Sequence, residues 1–121
     1  MTLKVSGFSS STATYKLVND ADSDENAETN VTGSSGTIYQ IEITNGAGTN
    51  TSYTKFKLTS GAVTPGTTEP DMMLVAGPSK SQTYEFPNGL SFDQLSFWTT
   101  ILPATSNAAA PNATTVTILC T

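Results

Sequence analysis

The sequence predicts an all-β chain folded as a single antiparallel β-sandwich of the jelly-roll kind, with an immunoglobulin-like topology as the main alternative. Three observations carry that expectation. Apolar and polar residues alternate with period 2 in run after run, and no window sustains the i, i+3, i+4, i+7 spacing of an amphipathic helix. The runs are separated by clusters of Gly, Pro and Asn, which tolerate or preset the dihedrals of a chain reversal. Polarity is supplied by hydroxyl and amide side chains, because only 12% of the residues are charged against about 25% in an ordinary domain. Threonine, β-branched, suits the wet face of a strand, and the residues that populate surface helices are scarce.

Eight strands follow in order: residues 3–8, 12–18, 37–44, 52–59, 72–76, 81–86, 95–102 and 114–120. In the third, Tyr39, Ile41 and Ile43 alternate with Gln40, Glu42 and Thr44, the pattern of a sheet packed on one face and wet on the other. In the fourth, Lys55 and Lys57 alternate with Phe56 and Leu58, which reads as a solvated face. Met72 and Met73 point to opposite sides of the fifth, which suggests a strand covered on both faces. Trp98 is likewise set opposite Phe97 and Leu95, so it faces outward or into a neighbour if Phe97 faces the core. The remaining aromatics, Tyr39, Phe56, Tyr84, Phe86, Phe92 and Phe97, fit core packing better than a sugar-stacking row. Turns are expected at residues 45–50, 61–70, 77–80 and 87–89. The stretch 104–111 is loop-like, with Pro111 stopping any helical turn of its alanines.

With 121 residues the chain makes one domain, with residues 1–12 as an extended N-terminal arm and 13–121 as the sandwich. The five cationic side chains, all lysine, face ten carboxylates for a net charge of −5. That balance argues against nucleic acid, whose binding needs cations to displace counterions, and against phosphate recognition. No run is long enough to span a bilayer, and the start MTLKVSGFSSS lacks a signal peptide's charged and apolar regions, so the expectation is a chain made in a cytoplasm with no membrane partner. The single cysteine, Cys120, permits no internal disulfide and reads as a small buried hydrophobe.

Few residues offer chemistry. Without histidine the usual general base is missing, and carboxylate pairs for glycoside hydrolysis could be drawn from Glu42, Glu69, Asp71, Glu85 and Asp93. No catalytic, cofactor or metal residue is assigned. The acidic stretch 19–30, NDADSDENAETN, places Asp20, Asp22 and Asp24 like the first ligands of an EF-hand loop. It then sets Glu25 where the turn needs Gly and Val31 where a bidentate Glu is needed. It therefore reads as an exposed, mobile loop without tight calcium binding. The sequons at Asn30, Asn50 and Asn112 are what a Ser- and Thr-rich chain produces by chance.

Structural motifs remain. The pieces Tyr39-Gln40-Ile41-Glu42-Ile43, Thr67-Thr68-Glu69-Pro70-Asp71, Met72 to Ala76, and Phe86-Pro87-Asn88-Gly89-Leu90-Ser91-Phe92 resemble the small β-rich virion proteins of tailed bacteriophages of marine and cyanobacterial hosts. The likeness covers about residues 37–121. It implies a capsid decoration, or cement, protein held on the outer surface of the head shell, with the major capsid protein as partner. A small domain gains burial by association, so a symmetric oligomer, a homotrimer, is expected. Leu3, Val5, Trp98 and Met72 are its candidate contacts, the first two on a segment able to add to a sheet edge. A receptor- or carbohydrate-binding module of a tail fibre or other adhesin is the alternative, and a small hydrolase with an acid pair facing one cleft is a further rival.

Overall fold

The computed structural model describes residues 3–9, 14–109 and 113–121. The boundary at residues 12 and 13, the sequon at Asn112 and the stop at Pro111 lie outside them. The described residues form eight strands and no helix: β1 (Leu3–Ser9), β2 (Thr14–Ser23), β3 (Gly36–Asn45), β4 (Ser52–Lys57), β5 (Met72–Ala76), β6 (Ser81–Phe92), β7 (Ser96–Thr100) and β8 (Thr114–Cys120). They make a five-stranded sheet ordered β1-β2-β8-β3-β6 and a three-stranded sheet ordered β5-β4-β7, with every pairing antiparallel.

An irregular segment adds to the small sheet through an isolated bridge between Glu28 and Phe97. Residues 24–31 run along the free edge of β7. The Phe97 and Glu28 amides exchange hydrogen bonds of 2.9 and 2.8 Å with each other's carbonyls, and the Thr99 and Val31 N–H groups bond the Asp24 and Leu95 carbonyls at 2.7 and 2.9 Å. The two layers then read β2-β8-β3-β6 and 24–31-β7-β4-β5, which is the strand order of a jelly roll, with β1 added outside β2. The stretch expected to be a solvated, mobile loop is therefore part of a sheet. Its acids misled the reading because a strand at a sheet edge needs backbone partners more than apolar side chains.

The core lies between the layers, built from Val18, Ile38, Ile41, Ile43, Phe56, Phe92, Leu95, Phe97, Val116, Ile118 and Cys120, all buried. In β8 the alternation is complete: Val116, Ile118 and Cys120 are buried and Thr115, Thr117 and Leu119 only partly so. In β3 a bulge between Ile38 and Gln40 resets it. Ile38 joins Ile41 and Ile43 in the core, while Tyr39 stacks edge-on against Tyr15 of β2, ring centroids 6.0 Å apart. Opposite the bulge, Pro87-Asn88-Gly89 does not reverse the chain as expected but lies inside the continuous strand β6. Gly89 holds φ at +79° there, and a Cβ would run into Thr37 Cγ2. Between the Ile38–Leu90 and Gln40–Glu85 pairs, residues 86–89 of β6 stand opposite Tyr39 alone, and this irregularity with its glycine bends the strand in place of turning it.

Both passages from β3 to β4 and from β5 to β6 cross between sheets, and they meet at Asn45, which is 2% exposed. Its amide nitrogen donates to the carbonyls of Asn50, Ala76 and Gly77 at 2.8, 3.1 and 3.2 Å, and its Oδ1 accepts the Ala47 N–H at 3.0 Å. Toward this end hydroxyls replace hydrocarbon between the layers. Ser52 and Thr114 pair at 2.6 Å, and Thr99 bridges Ser23 at 2.7 Å and Thr54 at 3.0 Å. Paired in this way, buried hydroxyls avoid the cost of a lost partner.

Candidate functional site

The anticipated contact residues fall in two places. Leu3 and Val5 lie on β1, whose outer edge has no partner strand among the described residues. Val5 opposes Val18, a core residue, and so points to the inner side, yet it remains 43% exposed. The small sheet therefore ends short of β1, leaving an overhang that combines an unpaired backbone edge with an uncovered valine. Leu3, one step further, is partly buried against the core. β1 pairs with β2 of its own chain.

Met72 and Trp98 belong to the small sheet. Met72 opposes Phe56 and packs against the core, while Met73 opposes Lys55 on the outer face. The split expected for this pair is present. Trp98 does face away from Phe97, but it is 1% exposed and unavailable to a partner. All five residues of β7 are buried, because a strap of residues 101–109 closes over the outer face. The same strap buries Lys55, which opposes Trp98 and was expected on a solvated face; it is 0% exposed and its Nζ donates to the Ser106 carbonyl at 2.7 Å. Lys57, also expected there, pairs with Asp71 at 3.4 Å. A strand period cannot reveal a loop that folds back on the far face.

β5 has an unpaired edge too, but it is occupied. The Tyr84 hydroxyl donates to the Val75 carbonyl at 2.7 Å and accepts the Val75 N–H at 3.4 Å, which blocks strand addition at that position. β6 leaves twelve residues of edge, interrupted by the bulge, Glu85 and Pro87, features that blunt an edge against pairing. Of these edges, β1 is the one without a bulge, a proline or a covering side chain among the described residues, its one charged residue being Lys4.

Carboxylates collect in two regions. Asp71 and Asp93 line one depression of about 290 Å³ with Leu58, Thr59, Ser91 and Phe92. Asp71 is engaged there, accepting the Leu58 N–H at 2.7 Å in addition to the Lys57 contact. Glu42 lines a second, of about 110 Å³, with Gln40, Leu17, Thr117 and Leu119 on the outer face of the large sheet. The Tyr15–Tyr39 pair lies on this face as well, and Glu85 opposes Gln40.

In the acidic stretch Asp20 is 1% exposed on the inner side of β2 and accepts the Asp22 N–H at 3.2 Å. This overturns the expectation that the whole stretch is exposed. Burial, with the carboxyls of Asp22 and Glu28 nearby, pushes Asp20 up to about 6; burial and Asp24 push Glu28 up too. A carboxyl raised on folding favours the fold while protonated, so its contribution is full below its unfolded value near 3.8 and is lost as pH rises through about 6. Asp20→Asn, which keeps the shape and removes the titration, is expected to melt above wild type at pH 8 and level with it at pH 4. Thermal unfolding across that range checks this; an unchanged difference at both pH values would contradict it.

Comparison with family models, with curated proteins and with solved structures gave no match.

Proposed function

We propose that this chain is a capsid decoration protein of a tailed bacteriophage, docking on the outer surface of the head shell through the β1 overhang and acting as a homotrimer. The observation that carries the reading is β1 itself, an unpaired edge beside an exposed Val5. A partner strand can add to that edge by main-chain hydrogen bonds while Val5 enters an apolar site, the mode of β-augmentation. Repetition around a symmetric site turns a modest contact into firm attachment. The motifs shared with small phage virion proteins supply the biological setting.

Cosedimentation of the purified protein with heads of the phage that encodes it tests this. Val5→Asp places a charge where the contact closes, which costs about 1–3 kcal/mol or more when a polar group is buried unpaired. Binding is expected to weaken about tenfold or more, with unchanged thermal unfolding because Val5 is exposed in the free protein. Equal binding by both forms would sink the docking surface, and a monomer mass of 12.6 kDa in sedimentation would sink the trimer.

One observation favours a second reading, a glycan-binding module. The outer face of the large sheet sets the Tyr15–Tyr39 pair beside the depression lined by Gln40, Glu42 and Thr117. Aromatic surface next to hydrogen-bonding groups suits a sugar ring, with its apolar face and hydroxyl rim. Glycan binding lost in Tyr15→Ala, without head binding, would favour it.

A further inference from the structure

Lys55 and Trp98 are directly opposed residues of β4 and β7, so their side chains stand together on the outer face of the small sheet. Both are buried, and neither has the partners its chemistry calls for. Among the described residues the Trp98 Nε1–H has no acceptor, an uncommon condition for a buried polar group that costs about 1–3 kcal/mol. The Lys55 ammonium has three N–H groups, and the acceptor found for it is one neutral carbonyl, that of Ser106. Among the described residues the ion pair is Lys57 with Asp71, and Lys55 has no carboxylate within reach. A buried charge without a counter-charge is expensive, and burial pulls this lysine below its ordinary range.

The imbalance has a direction. The face holds an excess of donors and one uncompensated positive charge, so the missing partner is an acceptor with a single negative charge. The Ser106 carbonyl, brought in by the strap, is a partial substitute. The strap can yield. Ala104 holds φ at +57°, a region unfavourable for a residue with a Cβ, and Leu102 is 50% exposed. The strap is closed on β7 by the Thr100–Ala109 bridge and a 3.3 Å bond from the Ile101 N–H to the Ala108 carbonyl.

We propose that Lys55 and Trp98 form a binding site for a small monovalent anion, a halide or a short carboxylate, capped by the strap 101–109. The anion takes the place of the Ser106 carbonyl on Nζ and accepts the indole N–H, so binding and strap displacement are one event. Divalent oxyanions are disfavoured because a single cation faces them. The site is separate from the β1 overhang and stands or falls independently of shell docking.

Trp98 is the one tryptophan in the chain, so its emission reports the site without labelling. The intact protein is titrated with sodium chloride and with sodium acetate, at an ionic strength held constant with sodium sulfate. The expected result is a saturable change in emission and a rise in melting temperature as chloride or acetate replaces sulfate, against the general stabilisation that sulfate gives by exclusion from the surface. Both responses are lost in Lys55→Met and kept in Lys57→Met. Should Lys55→Met not fold, iodide quenching of the wild type decides: a saturating curve supports the site. A linear or absent response, or a melting temperature highest in sulfate as surface exclusion alone would give, overturns it.

Discussion

Replacing Trp98 by alanine is expected to remove about 3–5 kcal/mol of stability, the usual cost of deleting a buried tryptophan. That is most of what a domain of this size has, since stabilities run about 5–15 kcal/mol. The side chain is 1% exposed, the largest of the fully buried ones, and it opposes Lys55 under the strap. Its loss opens a void between the strap and β4. Trp98→Phe is the informative companion. It keeps most of the ring surface and removes the unpartnered N–H, so its cost is expected to be well below that of alanine. Denaturant unfolding of the two variants checks both statements; a Trp98→Ala protein as stable as wild type would mean that the strap does not seal this face.

Substitution of Asn45 is expected to have the next largest effect. Alanine there removes the donor shared by the carbonyls of Asn50, Ala76 and Gly77 and the acceptor of the Ala47 N–H. At about 1 kcal/mol for each bond lost, and more for a buried group left unpaired, a loss of about 2–4 kcal/mol follows. Because two of the crossings between sheets meet here, the damage falls on the connection of the layers and not on either sheet alone. Asn45→Asp sharpens the test. The shape is kept, but an ionised carboxylate cannot donate and faces three carbonyl oxygens, so it is expected to be less stable than Asn45→Ala at neutral pH. Melting temperatures of the three proteins decide; an aspartate variant as stable as wild type would rule out the donor role.

Much of this architecture was legible in the residues. β8 is predicted to the residue and β5 as well, because each is a clean run between turn signals and neither depends on a bulge. β3 was read one residue out of phase at Tyr39, since a bulge inserts a residue that period-2 counting cannot detect. β7 has no alternation to read, because both of its faces are covered and SFWTT is buried throughout. The hydroxyl pairs Ser52–Thr114 and Ser23–Thr99–Thr54 look wet in sequence and become interior once they find each other across the sandwich.

The candidate surfaces were legible in part for the same reason. Val5 is where an edge contact needs it, exposed on a strand with an open side, and the N-terminal apolar alternation pointed to it. Trp98 and Lys55 were misjudged because the residues that bury them lie in the strap, and a chain of small residues gives no sign of which face it will cover. The signal that could have found them is joint: a lysine and a tryptophan on neighbouring strands, both opposite core residues, demand a cover of some kind.

Electron cryomicroscopy of phage heads with and without this protein tests the docking claim most directly. The account predicts density for a small β-sandwich on the outer face of the shell, grouped in threes, with β1 against the major capsid protein and the strap 101–109 turned away from it. Density confined to the tail fibres, or an outer-shell density contacting the capsid through any face other than β1, would contradict it.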